Sequence, residues 1–532
     1  MRSRSRRKTR GRAIHEGRTR PDGPGRGPRR ARSNGSLVSD LPAALPHRTR
    51  CGTPRRSRRG IWRATALVAV HLVVLVHVAH WKVAGRTLTP LEPSESMQTL
   101  ELGYVNAGFL LFGALLLATV VLGRFFCGWA CHVVAYQDLC AWLLGKLGLR
   151  PRPVRSRLLL LVPLGVAFYM FLWPQIEGVA ASGPLRWHLT TRSFWKTFPG
   201  PATAALTFAV DGFLLVWLLG AKGFCTYGCP YGALFGIADR FAPGRIRVTD
   251  ACEGCGHCTA TCTSNVRVHE EVARFGAVVD PGCMKCMDCV NVCPKDALYF
   301  GFGAPSLVAK PARRRSFDFS WGEEIAMAAV FVVGLYAFRD LYHEVPFFLA
   351  IGLAVVGAIA IVALARLARR RDFALQRHAL RREGRLTLAG ALAAVVLAGF
   401  LGLVGHAALV QFQAKQGEGL LLAARDLRGD ERARAREGAF EHLARAERLG
   451  LLGDGVLQLQ LAQIERDRGN LPETERRLRR SIELAPRDTR ARLVLAGLLE
   501  SRGDASEARA LCEAVLAIDP DNEVAARALI PK

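Results

Sequence analysis

The chain has 532 residues, half of them hydrophobic and 22% charged, with a formal net charge of +28. That length allows several domains, and that balance of apolar over charged residues points toward a membrane. The charge is lopsided: residues 1–60 hold 19 Lys and Arg against 3 Asp and Glu, so +16 of the total sits in one tail. Of the 15 cysteines, twelve stand at C-x2-C or C-x3-C spacings. Such regular spacing disfavours a disulfide framework and favours ligation of a metal or cluster.

The tail over residues 1–60 is rich in Arg, Gly, Pro and Ser and has little with which to build a core, which predicts a disordered basic segment. No aromatic residues interleave its arginines as a base-stacking platform would require, so nucleic acid is not expected as a partner. Apolar stretches near the length of a bilayer crossing follow at about 62–82, 103–123, 157–176, 203–221, 345–366 and 386–411. A shorter seventh, Ile325 to Phe338, is flanked by Glu323, Glu324, Arg339 and Asp340. Arginines and lysines cluster in the tail, in the 124–157 loop and in the 366–385 loop, which has eight arginines, and this places all three on the cytoplasmic side. The 83–102 loop, with Glu92, Glu95 and Glu101, belongs outside; the 177–202 loop must lie there too, although Arg186, Arg192 and Lys196 run against the rule.

Two four-cysteine runs follow the fourth crossing: Cys252-x2-Cys255-x2-Cys258-x3-Cys262 and Cys283-x2-Cys286-x2-Cys289-x3-Cys293-Pro294. Three thiolates at x2 spacing let a tight loop wrap one corner of an iron-sulfur cubane while backbone amides turn toward its sulfurs. Tetrahedral zinc is the competing reading, but zinc modules use two C-x2-C pairs rather than duplicated runs. Two sparser pairs, Cys127/Cys131 and Cys225/Cys229, each follow a crossing. Three readings stand for them: four thiolates holding one further metal or cluster, two redox dithiols, or packing at crowded helix ends. Cys51, Cys140 and Cys512 have no partner in sequence. His71, His77, His80 and His406 fall in or near crossings; they suit haem ligation or proton uptake from a quinol, against the plainer reading of hydrogen-bonded bundle histidines. No phosphate-binding glycine loop, nucleophile elbow or His-Glu-x-x-His is present, so hydrolysis is not expected.

Beyond residue 412 the composition turns to Ala, Leu, Arg and Glu with a 34-residue period that pairs Gly469 with Gly503 and Pro486 with Pro520. This segment resembles tetratricopeptide repeats, which implies stacked helix pairs over 417–530 and a protein-binding surface. With seven crossings the repeats are expected in the periplasm.

The double cysteine run resembles two-cluster ferredoxins, in which the fourth cysteine of each run serves the other cluster. Carried over by position, that resemblance implies one [4Fe-4S] cluster on Cys252, Cys255, Cys258 and Cys293 and a second on Cys283, Cys286, Cys289 and Cys262. Over about 62–345 the chain is also similar to the membrane polyferredoxins that include NapH, NosR and CcoG, through Gly123-Arg124-Phe125-Phe126-Cys127-Gly128-Trp129, the Cys225-x3-Cys229-Pro230 motif and the double run. His132 stands where that group usually has proline after the first pair.

The expected architecture is an all-α polytopic inner-membrane protein with an inserted α+β two-cluster module. Its parts are the tail 1–60, a four-helix membrane domain 61–245, a cytoplasmic ferredoxin module 246–303, a three-helix membrane domain 320–411 and the repeats 417–530. The resemblance implies electron transfer between a quinone-side or cytoplasmic donor and a respiratory or maturation partner recruited by the repeats. An assembly factor for a respiratory metalloenzyme and a redox sensor are the alternatives.

Overall fold

The computed structural model describes residues 52–55, 59–149, 151–176, 185–192, 200–305, 307 and 317–530. Most of the basic tail, Cys51 and most of the 177–202 loop lie outside the described residues. Among the described residues, five helices are long and apolar enough to cross a membrane: Gly60–Ala84, Pro201–Leu219, Trp321–Phe338, Phe347–Arg369 and Leu388–Ala423. Two more apolar helices, Ala107–Leu122 and Leu159–Phe171, are shorter. The first of these runs for 16 residues because Asn106 caps its start, accepting from Phe109 N, and Gly123 ends it at φ 70°.

The segment least obvious in sequence forms the 18-residue helix Trp321–Phe338, about 27 Å long at the usual rise. Its two acids are absorbed at the start. Ser320 and Glu323 form a capping box, and Glu323 receives Arg366 Nε at 2.6 Å from the next helix. Glu324, fully buried, accepts from Ser156 Oγ at 2.6 Å and Arg157 N at 2.8 Å. The acids that shorten the apolar run therefore anchor its end.

Helix Phe347–Arg369 is the bundle's centre, with 72% of its apolar window buried. Small residues make that possible: a Cβ on Gly334 would stand 3.1 Å from Ala354 Cα, a close approach that tight packing in lipid depends on. Helix Leu388–Ala423, 36 residues long, would extend about 54 Å, more than a hydrocarbon core of about 30 Å. Its last turns pack through Gly417 on Leu443 of helix Gly429–Leu449, so one rod links the membrane bundle to the repeats.

In the repeat segment, helices Gly455–Asp467, Leu471–Leu484, Arg490–Arg502 and Ala505–Ile518 stack in order. Leu459, Ala462, Leu478, Leu495, Ala496 and Val515 share one core. The period has a backbone cause: Gly469 and Gly503 both turn the chain at positive φ, 77° and 91°, after the first helix of each pair.

Between helices Pro201–Leu219 and Trp321–Phe338, strand Arg245–Val248 pairs antiparallel with Leu298–Gly301, Ile246 opposite Phe300. This two-stranded ribbon closes residues 245–301 over a small core of Ile246, Val266, Val268, Val272, Val278, Val290 and Leu298. All eight cysteines of the two long runs lie between its strands.

Candidate iron-sulfur centres

The two runs share one backbone course. Gly254 and Gly256 sit at φ 67° and 79° between the first run's cysteines, and Lys285 and Met287, at the equivalent positions of the second, sit at 51° and 67°. Three residues after each fourth cysteine, Asn265 and Asp296 also take positive φ, 60° and 49°. Non-glycine residues held left-handed cost about 1–2 kcal/mol each. A loop that turns its amides and three thiols inward is the return for that strain. Short helices His257–Thr261 and Asp288–Val292 follow, and Cys262 and Cys293 end them in the same extended conformation.

Cys252, Cys255, Cys258 and Cys293 line a single cavity, with His257, His269 and Pro294 around them. Cys262 stands instead beside Cys283, and Cys289 feels the charges of Cys283, Cys286, Cys262 and Cys258. The fourth cysteine of each run thus faces the other run's triplet. Burial pushes the Cys258 and Cys262 thiols up to about 12. Thiols so enclosed ionise only against compensating positive charge, which an iron-sulfur core supplies and an apolar pocket does not. Among the described residues, no three His, Cys, Asp or Glu side chains close on a position for a single metal ion.

The sparser pairs also come together. Each begins just past a glycine that stops a helix, Gly123 at φ 70° and Gly220 at φ 103°. Short helices Phe125–Trp129 and Gly223–Tyr227 then carry Cys127 and Cys225 inward. Cys131 is enclosed and feels Cys127, Cys225 and Cys229 at once, so the four thiols form one group. Gln137 Nε2 donates to Cys225 Sγ at 2.9 Å and Gly232 N to Cys229 Sγ at 3.3 Å. Burial pushes Cys225 up to about 11 and Cys229 to about 12; Arg124 pulls both the other way, and Lys222 pulls Cys225. Arg124 is held beside Cys127 and Cys225, a fixed positive charge against this thiol group.

A dense layer joins this group to the second run. Gly128, between Cys127 and Cys131, lies so near Met284 O that a Cβ would collide with it and stand 3.1 Å from Cys286 N. Trp129 Nε1 donates to Lys285 O at 3.0 Å, and Arg124 Nη1 to Pro281 O at 3.0 Å. Beneath them the fully buried Asp239 receives Lys285 Nζ at 2.7 Å and Arg124 N at 3.0 Å, and pairs with Arg245 at 3.6 Å. Arg63, from the first long helix, donates to Gly128 O at 2.8 Å and pairs with Asp288 at 3.7 Å and with Asp138. Lys222 joins the same Asp138.

Among the described residues, the membrane histidines are not gathered into a site. His71 bonds Leu67 O at 2.9 Å, His77 bonds Leu88 O at 3.1 Å and His80 bonds Thr87 Oγ1 at 2.9 Å. Sequence reading held Arg124 and Gly128 only as members of the motif that carries the resemblance, giving them no role at the site, and missed Asp239 and Lys285. Lys285 could have been noticed inside Cys283-x2-Cys286, and Arg124 three residues before Cys127, but Asp239 lies in a short turn, Asp239–Phe241, with no pattern around it.

A family model described as a 4Fe-4S binding domain matches residues 106–150 and 201–249, which hold both C-x3-C pairs. A 4Fe-4S dicluster domain matches 251–298, and a tetratricopeptide repeat matches 465–530. The ferredoxin-type protein NapH of Haemophilus influenzae is 30% identical over 229 residues, 40% of this chain and 76% of that protein. The methylamine utilization ferredoxin-type protein MauN of Methylorubrum extorquens is 32% identical over 213 residues, 38% of this chain and 70% of that protein. NapH of Escherichia coli is 28% identical over 224 residues, covering 40% and 74%. No solved structure matches. Two 4Fe-4S-binding matches around thiols the fold brings together, joined to a repeat array, leave one assignment: the chain belongs to the NapH and MauN family of ferredoxin-type membrane polyferredoxins, extended by a tetratricopeptide repeat domain.

Proposed function

We propose that this protein passes electrons through three thiolate-held centres arranged in series. Cys252, Cys255, Cys258 and Cys293 hold one [4Fe-4S] cluster, and Cys283, Cys286, Cys289 and Cys262 hold a second. Cys127, Cys131, Cys225 and Cys229 hold a third centre, a cluster rather than a lone ion. When bound, these clusters supply one-electron storage at potentials set by charge and hydrogen bonding. The chain's own residues fix their order. Gly128 lets the membrane pair press directly on the loop of the second run, while Cys258 and Cys289 stand between the two runs. Arg124, Lys285 and Arg63 put positive charge along this line, favouring the reduced state of what it surrounds.

The single observation that carries the reading is the contact of Gly128 with Met284 and Cys286, because it makes one path of thiols that sequence leaves as three separate groups.

The reading extends to topology. Seven crossings put the ferredoxin module in the cytoplasm and the repeats in the periplasm. Two contacts support opposite faces: at one end of helix Phe347–Arg369, Arg366 bonds Glu323 and Asp318 O near the ferredoxin side, and at the other the Leu341–His343 turn meets Asp454 of the repeats. Arg192, from the loop expected outside, pairs with Asp521 of the last repeat at 3.6 Å. The repeats are then placed to recruit a periplasmic redox protein, and a quinone-side donor or acceptor fits the membrane centre.

Anaerobic purification with iron and sulfide analysis and spin-resonance spectroscopy tests the reading. Three reducible centres are expected, with Cys127→Ser removing one and sparing two. Zinc, or iron bound only by the eight ferredoxin cysteines, would overturn the series.

A further inference from the structure

On the side of the membrane thiols away from the ferredoxin module lies a second polar group that electron transfer alone does not use. Helix Ala107–Leu122 separates the two sides: at its end Gly123 touches Asp239 and Lys285, and at its start Gly108 lies under the 89–95 loop. A Cβ on Gly108 would stand 2.5 Å from Glu92 O and 2.6 Å from Glu95 Cβ, so the loop can fold in only because Gly108 has no side chain. Asn106 Nδ2 donates to Glu95 O at 2.8 Å and Ala107 N to Thr89 Oγ1 at 2.8 Å, pinning it.

Glu95 is thereby 8% exposed, while the Glu92 side chain stays 43% exposed and meets His132 Nε2 at 3.5 Å. The remaining neighbour is Tyr231, two residues past Cys229. It is 9% exposed, wedged edge-on against Phe112 at 5.7 Å and Phe171 at 5.9 Å. Its buried hydroxyl has no hydrogen-bond partner, and it lies within electrostatic reach of Glu92, Glu95 and Cys229 together. An orphaned buried hydroxyl between a carboxyl pair and a thiol group is costly unless the site is completed in use. Burial, with Glu92 beside it, pushes Glu95 up to about 7, so near neutral pH its proton is easily gained or lost.

We propose that Glu95, flanked by Glu92 and Tyr231, is a proton-binding site coupled to the redox state of the Cys127, Cys131, Cys225 and Cys229 centre. This inference rests on the third centre described above. An electron entering that centre adds negative charge in surroundings of low dielectric constant, and the Glu95 carboxylate answers by taking one proton from solvent, reached past the exposed Glu92 and His132. One electron and one proton arrive together, the Glu95 O–H bond forms, and both depart on reoxidation. Electrons leave toward Met284 while protons leave on the opposite side. The titratable groups facing Glu95 are Glu92 from its own loop and Tyr231 from helix Pro230–Ala238; behind them, Cys229 faces Tyr231, and His132 of helix His132–Lys146 faces Glu92.

The test is a redox titration of the intact, cluster-loaded protein from about pH 6 to about pH 9, following each centre by spin resonance. The membrane centre's potential should fall above neutral pH by up to about 59 mV for each tenfold drop in proton concentration, while the two ferredoxin centres stay flat. Glu95→Gln should flatten the slope, and Glu92→Gln should move its onset to lower pH. In the unaltered protein, a protonated-carboxyl infrared band should grow on reduction; this keeps the inference open to refutation if Glu95→Gln fails to load. A third centre with a pH-independent potential, a slope that survives Glu95→Gln, or no carboxyl band defeats proton coupling alone. Two ferredoxin centres without a third defeat the series and this inference with it.

Discussion

Lys285 Nζ lies 2.7 Å from Asp239 Oδ1, and neither side chain is exposed to solvent. One residue sits between ligand candidates of the second run, the other in the turn after helix Pro230–Ala238, so this pair is the bolt between ferredoxin module and membrane bundle. Arg245 and the Arg124 backbone amide share the same carboxylate.

Asp239→Ala is expected to destabilise that junction by about 3–5 kcal/mol, because it strands the buried Lys285 and Arg245 charges. Combining it with Lys285→Met should recover part of the loss, which a double-mutant cycle on thermal unfolding in detergent would read. Additive losses would show that the two groups do not act as a pair.

Gly128→Ala should cost about 1–3 kcal/mol through overpacking against Met284 O. Its more telling effect is on electron passage between the membrane centre and the second run, since relief requires the two surfaces to part. Iron content is expected to hold while the rate of interior electron transfer after rapid reduction falls. An unchanged rate would mean that the contact is not on the path.

The cysteine runs, the repeat period and the apolar segments were legible in sequence because each is written in local spacing. The helix Trp321–Phe338 was the hardest to see, because Glu323 and Glu324 at its start are satisfied by Arg366, by the Ser156 hydroxyl and by the 157–158 amides, partners remote in the chain. The same reason hid Asp239, whose partners are Arg124 and Lys285, and left the meeting of the two C-x3-C pairs as one of three readings, since their spacing does not require them to converge. Spacing reports what one loop can grip; it does not report which loops converge.

Gly254, at φ 67° with open space around the position of a Cβ, isolates backbone strain from packing. Gly254→Ala should cost about 1–2 kcal/mol at the first run alone. The expected outcome is faster loss of the Cys252, Cys255, Cys258 and Cys293 centre on exposure to chelator, with the second run's signal decaying as before. Equal acceleration of both would show that the two loops melt as one unit.

The joint between bundle and repeats is held by the Leu341–His343 turn. His343 Nδ1 lies 3.1 Å from Asp454 Oδ2 and its Nε2 3.4 Å from Glu418 Oε1, while Leu451 N donates to Tyr342 Oη at 2.9 Å. Burial works against the imidazolium, but the bonds to Asp454 and Glu418, with Asp340 nearby, outweigh it and hold His343 up to about 10 from an ordinary 6.5. A cation whose affinity for its proton is raised by folding contributes stability that is complete below the unfolded value and is lost as pH climbs through the folded one. The joint should therefore be tightest below about pH 6.5 and loosen progressively toward about pH 10. Amide exchange over residues 449–454 reads this directly: protection should fall across that interval in the native protein. In His343→Gln it should be lower from the outset and insensitive to pH over the same range, once the intrinsic rise in exchange is subtracted. Protection in the native protein that stays level to about pH 10 would show that the carboxylates, and not the imidazolium, set the joint.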